Sequence, residues 1–206
     1  MKLISLVTAI VCVLSSRSLY AQSTLAESPT VSLYQLAYKP EKKALRLLLK
    51  GNGQLKQHQY NAGLRLFQEA LAIDSRYWNA ENNLGYAYLK LSQIDKAEQA
   101  FKRDIEIDPL NAIGYTNLSV AALNKKDYLL AEKSARQALH LNPQLPEPKA
   151  LFALAQVGQG NWSTEAHRLL EESYQSVPGS DEVLRRWPES NSTSRRIIVL
   201  AAVIPK

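Results

Sequence analysis

A period of 34 residues runs through the middle of this chain. Ile73-Asp74, Ile107-Asp108 and Leu141-Asn142 recur at that offset. So do Tyr60, Ile94, Tyr128 and Trp162, and so do Gly63, Ala97 and Ala131. Within each period the apolar and small residues fall at helical spacing, most completely over Trp78–Pro109. A repeat of this length encodes a unit that cannot bury its own apolar face. It must stack on copies of itself.

The stacking logic is visible in the residue sizes. Helices that cross closely need small residues at the crossing, and Gly51, Gly85, Ser119, Gly63, Ala97 and Ala131 supply them. Tyr60, Phe67, Leu84, Tyr88, Phe101 and Tyr128 are the large residues that fill the adjacent holes. With this small/large pattern, residues 44–178 resemble the tetratricopeptide-repeat family. Repeat two carries nearly the full pattern, except that Asp104 stands where the family has alanine. The resemblance implies an all-α, right-handed solenoid of about four helix-turn-helix repeats, closed by a C-terminal capping helix.

In this frame the repeats are 44–77, 78–111, 112–145 and 146–179, inside a helical domain spanning 41–187. The expected helices are Glu41–Lys56, Tyr60–Ile73, Trp78–Leu91 and Ile94–Ile107, then a third pair built on Tyr115–Ala122 and Tyr128–Ala138. A fourth pair is expected over Lys149–Val157 and Trp162–Val177, joined by Gly158-Gln159-Gly160-Asn161. Asp74-Ser75 is placed to cap the next helix. Ala166 and Pro178 sit one residue out of phase, which marks an insertion after Trp162. Ser180–Trp187 has the length of a short capping helix.

The resemblance also implies a concave face, lined by the first helix of each repeat, that binds a peptide or partner protein. Its family positions map onto Asn52, Asn79, Asn82, Asn83, Tyr86, Thr116, Asn117 and Val120, with Leu45, Leu48, Leu49, Ile113 and Leu123 beside them. Asn83 and Asn117 are one period apart, and such amides can both donate to and accept from a peptide backbone. One subclass of the family clamps a terminal carboxylate with cations and asparagines. Asn52 and Asn83 match its asparagines, but Leu48, Ile113 and Asn117 replace the cations. The leucine patch on the first helix is expected to lie under the preceding segment, which holds Leu33 and Leu36.

The N-terminus has the order of a secretory signal: Lys2, then the apolar run Leu3–Leu14, then a polar stretch ending in Leu19-Tyr20-Ala21. Residues 1–21 are read as that signal, cut after Ala21, and residues 22–40 as a linker. The run is shorter than the roughly 20 residues a spanning helix needs. The expected location is therefore the periplasm or the secreted space, with a retained N-terminal anchor as the alternative. Cys12, the one cysteine, lies within the apolar run, so the mature chain would hold no disulfide. The C-terminal tail, 188–206, contains the apolar stretch Ile197–Ile204.

The formal charge is +6. Lys42-Lys43, Lys125-Lys126, Arg185-Arg186 and Arg195-Arg196 are short clusters and read as solvated faces. No basic stripe with interleaved aromatics is evident, so nucleic acid is not an expected partner. His58, His140 and His167 lie on separate elements without metal-ligand spacing, and no nucleophile motif or phosphate loop is present. No cofactor and no catalysis are expected. The functional expectation is a non-catalytic interaction scaffold for a peptide or protein. The alternative is an accessory subunit of an envelope or secretion enzyme complex, docked through its tail.

Overall fold

In the computed structural model, residue 35 and residues 37–173 are described. Eight helices follow one another among them. They are α1 (Lys42–Lys56), α2 (Tyr60–Ile73), α3 (Trp78–Lys90), α4 (Ile94–Ile107), α5 (Ala112–Lys125), α6 (Tyr128–Leu141), α7 (Pro146–Gly158) and α8 (Thr164–Ser173). Each packs on the next, as antiparallel hairpins stacked in sequence order. The expected signal peptide, most of the linker, the capping segment Ser180–Trp187 and the tail Ile197–Ile204 lie outside the described residues.

The hairpin interior is set by one contact repeated at the 34-residue period. The Phe67 ring lies over Gly51, so close that a methyl group there would come within 2.4 Å of its Cε1. Phe101 lies over Gly85 in the same way, at 2.5 Å. Both rings are fully buried. In the third hairpin, Ser119 and Ala135 stand at the equivalent positions. There the close approach is held by the Ser119 hydroxyl, which donates to the Ala131 carbonyl at 2.8 Å.

The turns keep the period too. His58, Ser92 and Lys126 all take left-handed backbone conformations, with φ of 59°, 56° and 62°. In the fourth hairpin the equivalent residue is Gly160 (φ 78°), the residue type that bears this conformation without strain. Between hairpins, Asp74, Asp108 and Asn142 each accept a hydrogen bond from the backbone N–H two residues on, at Arg76, Leu110 and Gln144. These side chains fold the connecting turn. Asp74 does not cap the following helix, whose N-terminal residue Tyr77 makes no side-chain cap. Asp74 accepts instead from the Tyr38 hydroxyl (2.5 Å), and the Tyr38 ring packs 5.9 Å from that of Tyr77. This ties the end of the lead-in to the first inter-repeat turn.

The fourth hairpin departs most from expectation. α7 begins at Pro146, three residues before Lys149, because proline is tolerated in a helix's first turn. It also runs through Gly158, where a side chain would strike the Tyr128 ring of the preceding hairpin. α8 starts at Thr164 rather than Trp162. The inserted residue lengthens the turn, and Ser163 takes over the start of the helix: its hydroxyl accepts from Ala166 N at 3.1 Å and donates to Gln156 Oε1 at 2.6 Å.

Asp104, the departure from the family pattern, has a local explanation. It is fully buried, and its two oxygens accept from Asn111 Nδ2 at 3.0 and 3.1 Å. Gly114 makes the room, since a Cβ there would fall 2.6 Å from Asp104 Oδ2. Burial holds this carboxyl well above the usual carboxylate range. The Asn111 bonds pull the other way, while Asp108 and Glu81 push with burial.

Two predictions test this packing. Gly85→Ala should cost roughly 1–3 kcal/mol by overpacking. Gly53→Ala, where a Cβ meets nothing within 4 Å, should stabilise by about 0.5–1 kcal/mol. Chemical denaturation reads both. A third prediction concerns pH. Because Asp104 holds its proton more tightly folded than unfolded, its contribution favours the fold below the unfolded value and fades as pH rises toward the folded one. Asp104→Asn should remove that downward slope, seen by comparing denaturation midpoints in mildly acidic and neutral buffer. An unchanged slope would show that Asp104 does not carry it.

Candidate protein-binding groove

The first helices of the four hairpins, α1, α3, α5 and α7, share more contact with one another than the second helices do. The first helices therefore lie on the inside of the curve. Their shared face is where the expected binding residues fall.

Two pairs of asparagines cross this face between successive first helices. Asn83 Nδ2 on α3 donates to Asn52 Oδ1 on α1 at 2.9 Å. Asn117 Nδ2 on α5 donates to Asn82 Oδ1 on α3 at 2.6 Å. The rungs have the same chemistry but a different register, Asn83 serving one and its neighbour Asn82 the other. Asn82, Asn83 and Asn117 are 7%, 4% and 4% exposed, so each is mostly committed to the fold.

A primary amide offers two donor hydrogens and an acceptor oxygen with two lone pairs, and each rung uses only part of this capacity. No polar atom of these asparagines is both sealed from solvent and unpartnered. Asn52 Nδ2, Asn82 Nδ2, Asn83 Oδ1 and Asn117 Oδ1, which neither rung uses, therefore keep some access to solvent.

The other expected residues divide. Asn52, Asn79 and Tyr86 are half-buried on this face. Lys90 Nζ stands 5.3 Å from the Tyr86 ring centroid. Thr116 turns inward and donates to the Ala112 carbonyl at 2.7 Å, and Val120 is packed in the core. Leu48 and Leu123 are buried as well, while Ile113 is half-buried. Leu45 and Leu49 are 37% and 60% exposed, and Leu33 and Leu36, expected to cover the leucine patch, lie outside the described residues. Thus the structure joins Asn52 to Asn83 and Asn82 to Asn117, and separates Thr116 and Val120 from the open surface.

The sequence reading missed Glu81, whose position next to Asn82 gave no sign of a role. It is 6% exposed, and its Oε1 accepts from Arg103 Nε at 2.9 Å. Its Oε2 is sealed from solvent and without a hydrogen-bond partner. The spacing of Glu81 and Arg103, on the paired helices α3 and α4, carries no periodic signal. Among the described residues no cluster of histidine, cysteine or acid side chains could hold a metal ion. No described helix is long and apolar enough to cross a membrane.

The rung geometry predicts unequal effects for residues that look alike in the sequence. Asn117→Ala should destabilise by about 0.5–1.5 kcal/mol through loss of its hydrogen bond to Asn82. Asn79→Ala, which breaks no side-chain hydrogen bond, should stay within about 0.5 kcal/mol. Equal effects in urea denaturation would argue that the rung contributes nothing.

Comparison with known proteins agrees with this architecture. Two tetratricopeptide-repeat family models match, one over residues 54–117 and one over residues 112–145. Anaphase-promoting complex subunit 3 of Schizosaccharomyces pombe is 31% identical over 80 residues, which are 39% of this chain and 12% of that protein. The chain thus spans only a small part of the length of such curated relatives. Among solved structures, a MamA protein superposes with a TM-score of 0.65 at 15% identity, covering 78% of this chain and 87% of that one. The first tetratricopeptide domain of Spaghetti, bound to an HSP90 peptide, superposes at 0.57 with 21% identity, covering 58% and 95%. The stacked helical hairpins of this chain pack as tetratricopeptide repeats do, and its fold resembles a tetratricopeptide-repeat solenoid.

Proposed function

We propose that this chain is a non-catalytic protein-interaction scaffold that holds an extended peptide or partner segment along the face of its first helices, in an exported compartment. The carrying observation is the pair of asparagine rungs, Asn83–Asn52 and Asn117–Asn82. They fix a row of amides whose unused donors and acceptors match a peptide backbone. Orientation by hydrogen bonds inside the row removes part of the side-chain entropy that binding would otherwise cost.

The partner's chemistry follows from what surrounds the rungs. Leu48 is buried and Ile113 half-buried where a carboxylate clamp would place cations, and Asn117 is spent on a rung. A terminal carboxylate would find no clamp of positive charge. An internal, extended segment bound through its backbone fits better. The HSP90 peptide belongs to the similarly folded domain of Spaghetti, and its acidic tail is not the ligand favoured for this groove.

The exported location rests on the order of residues 1–21 and on the absence of cysteine after Cys12. Expression with the native leader should yield a mature chain starting at Gln22, read by intact mass. For the groove, Asn52→Asp is the informative change. It keeps Oδ1 to accept from Asn83 but replaces an outward N–H donor with a carboxylate oxygen. A partner pulled from envelope extract by the wild-type chain should be lost at least about tenfold with Asn52→Asp, with the melting curve preserved. Undiminished capture by that variant would contradict the groove assignment.

A further inference from the structure

The positive charge of this chain is not spread evenly once the helices are in place. α1 carries Lys42, Lys43, Arg46, Lys50 and Lys56 and no acidic residue. The rest of the chain holds twenty basic against nineteen acidic side chains, so α1 accounts for nearly all of the formal excess. At 100° per residue these cations fall on one side of the helix, opposite Ala44, Leu48, Gly51 and Leu55, which pack inward. All five are exposed.

Lys102, Arg103, Lys125, Arg136, Lys149 and Arg168 are each ion-paired. Among the described residues, none of the five on α1 has an ion pair, hydrogen bond or ring contact. Arg65, Lys126 and Lys133 are likewise without ion pairs among the described residues, but on α1 five such cations share one helix. Along one edge of them stand Leu45 and Leu49, 37% and 60% exposed. Glu41, just before the helix, is also exposed.

We propose that this outer face of α1 docks the solenoid onto an anionic phospholipid surface. The charge is complementary to lipid phosphate and, among the described residues, has no acidic partner. Leu45 and Leu49 can enter the headgroup–acyl boundary, while the long stems of Lys42, Arg46 and Lys50 let their charges stay at the phosphates. A single convex helix offers no pocket to grip a peptide, and no aromatic ring on this face could stack a base. A broad, flat, anionic surface is the occupant that uses both the cations and the leucines. Asn52 shares the Leu45–Leu49 stripe of α1, while Asn82, Asn83 and Asn117 stand on α3 and α5.

The test is partition of the full chain into vesicles of phosphatidylcholine mixed with phosphatidylglycerol, compared with phosphatidylcholine alone. The latter measures any charge-independent binding through Leu3–Leu14. Each basic side chain strengthens binding to an anionic surface about fivefold. The triple variant Lys42→Glu/Arg46→Glu/Lys50→Glu should therefore lose about 100-fold or more in partition to the mixed vesicles. Arg65→Glu/Lys126→Glu/Lys133→Glu makes the same charge change at exposed positions elsewhere. It should lose far less. Leu45→Ser/Leu49→Ser, which alters no charge, should also weaken binding, and added salt should weaken the wild type. Circular dichroism should show equal helicity in all four proteins.

Equal losses in the two triple variants would reduce the effect to net charge and overturn the proposal. So would a leucine variant that binds like the wild type, or tighter α1-dependent binding to a single-stranded oligonucleotide than to the mixed vesicles. The groove reading is tested separately by Asn52→Asp, so either can fail alone.

Discussion

Everything in this molecule depends on how closely two helices of one hairpin can approach. Phe67 over Gly51 and Phe101 over Gly85 set that distance. A ring against bare backbone buries a large apolar area in a small width, which a pair of medium side chains could not match. Because the contact recurs at a fixed offset, successive hairpins have similar shapes and can stack. Where Phe gives way to Ala135, Ser119 replaces the ring contact with a hydrogen bond, and the hairpin keeps its place in the stack.

Stacking then decides what is left for function. Bringing the first helices to the inside of the curve places Asn52, Asn83, Asn82 and Asn117 across seams between repeats. Polar groups at a seam must be satisfied or hydrated, and the amides do both, bonding each other on one side and facing water on the other. The same residues thus stabilise the array and line its inner face. α1 is the first of the eight helices, and its outer side is basic. Terminal repeats need a solvated outer face. Here that face carries charge of one sign only.

The regular parts of the fold were legible because they repeat. α2 and α4 begin and end where the 34-residue phase puts them, and Gly51 and Gly85 are at crossings as residue size indicated. Legibility failed where a single local interaction overrides the period. Pro146 starts α7 early, and Ser163 caps α8 late. Asp104 is an outlier until Asn111 and Gly114 are seen around it, and both come from the next turn and helix. On the groove, position alone could not separate Asn79, which is free of side-chain bonds, from Asn82 and Asn83, which are locked into rungs. A helix face predicts direction, while burial depends on the neighbour's side chains. The basic face of α1 escaped the sequence reading because Lys42, Arg46 and Lys50 are not adjacent in the chain, so a search for charge runs stops at Lys42-Lys43.

The central claim is that the ring-on-glycine crossing sets hairpin geometry. A double-mutant cycle between Gly85→Ala and Phe101→Leu, read by equilibrium denaturation, tests it most directly. If the two positions compete for the same space, the alanine should cost less once the ring is gone, with a coupling of about 1 kcal/mol or more. Simple additivity of the two changes would contradict the account.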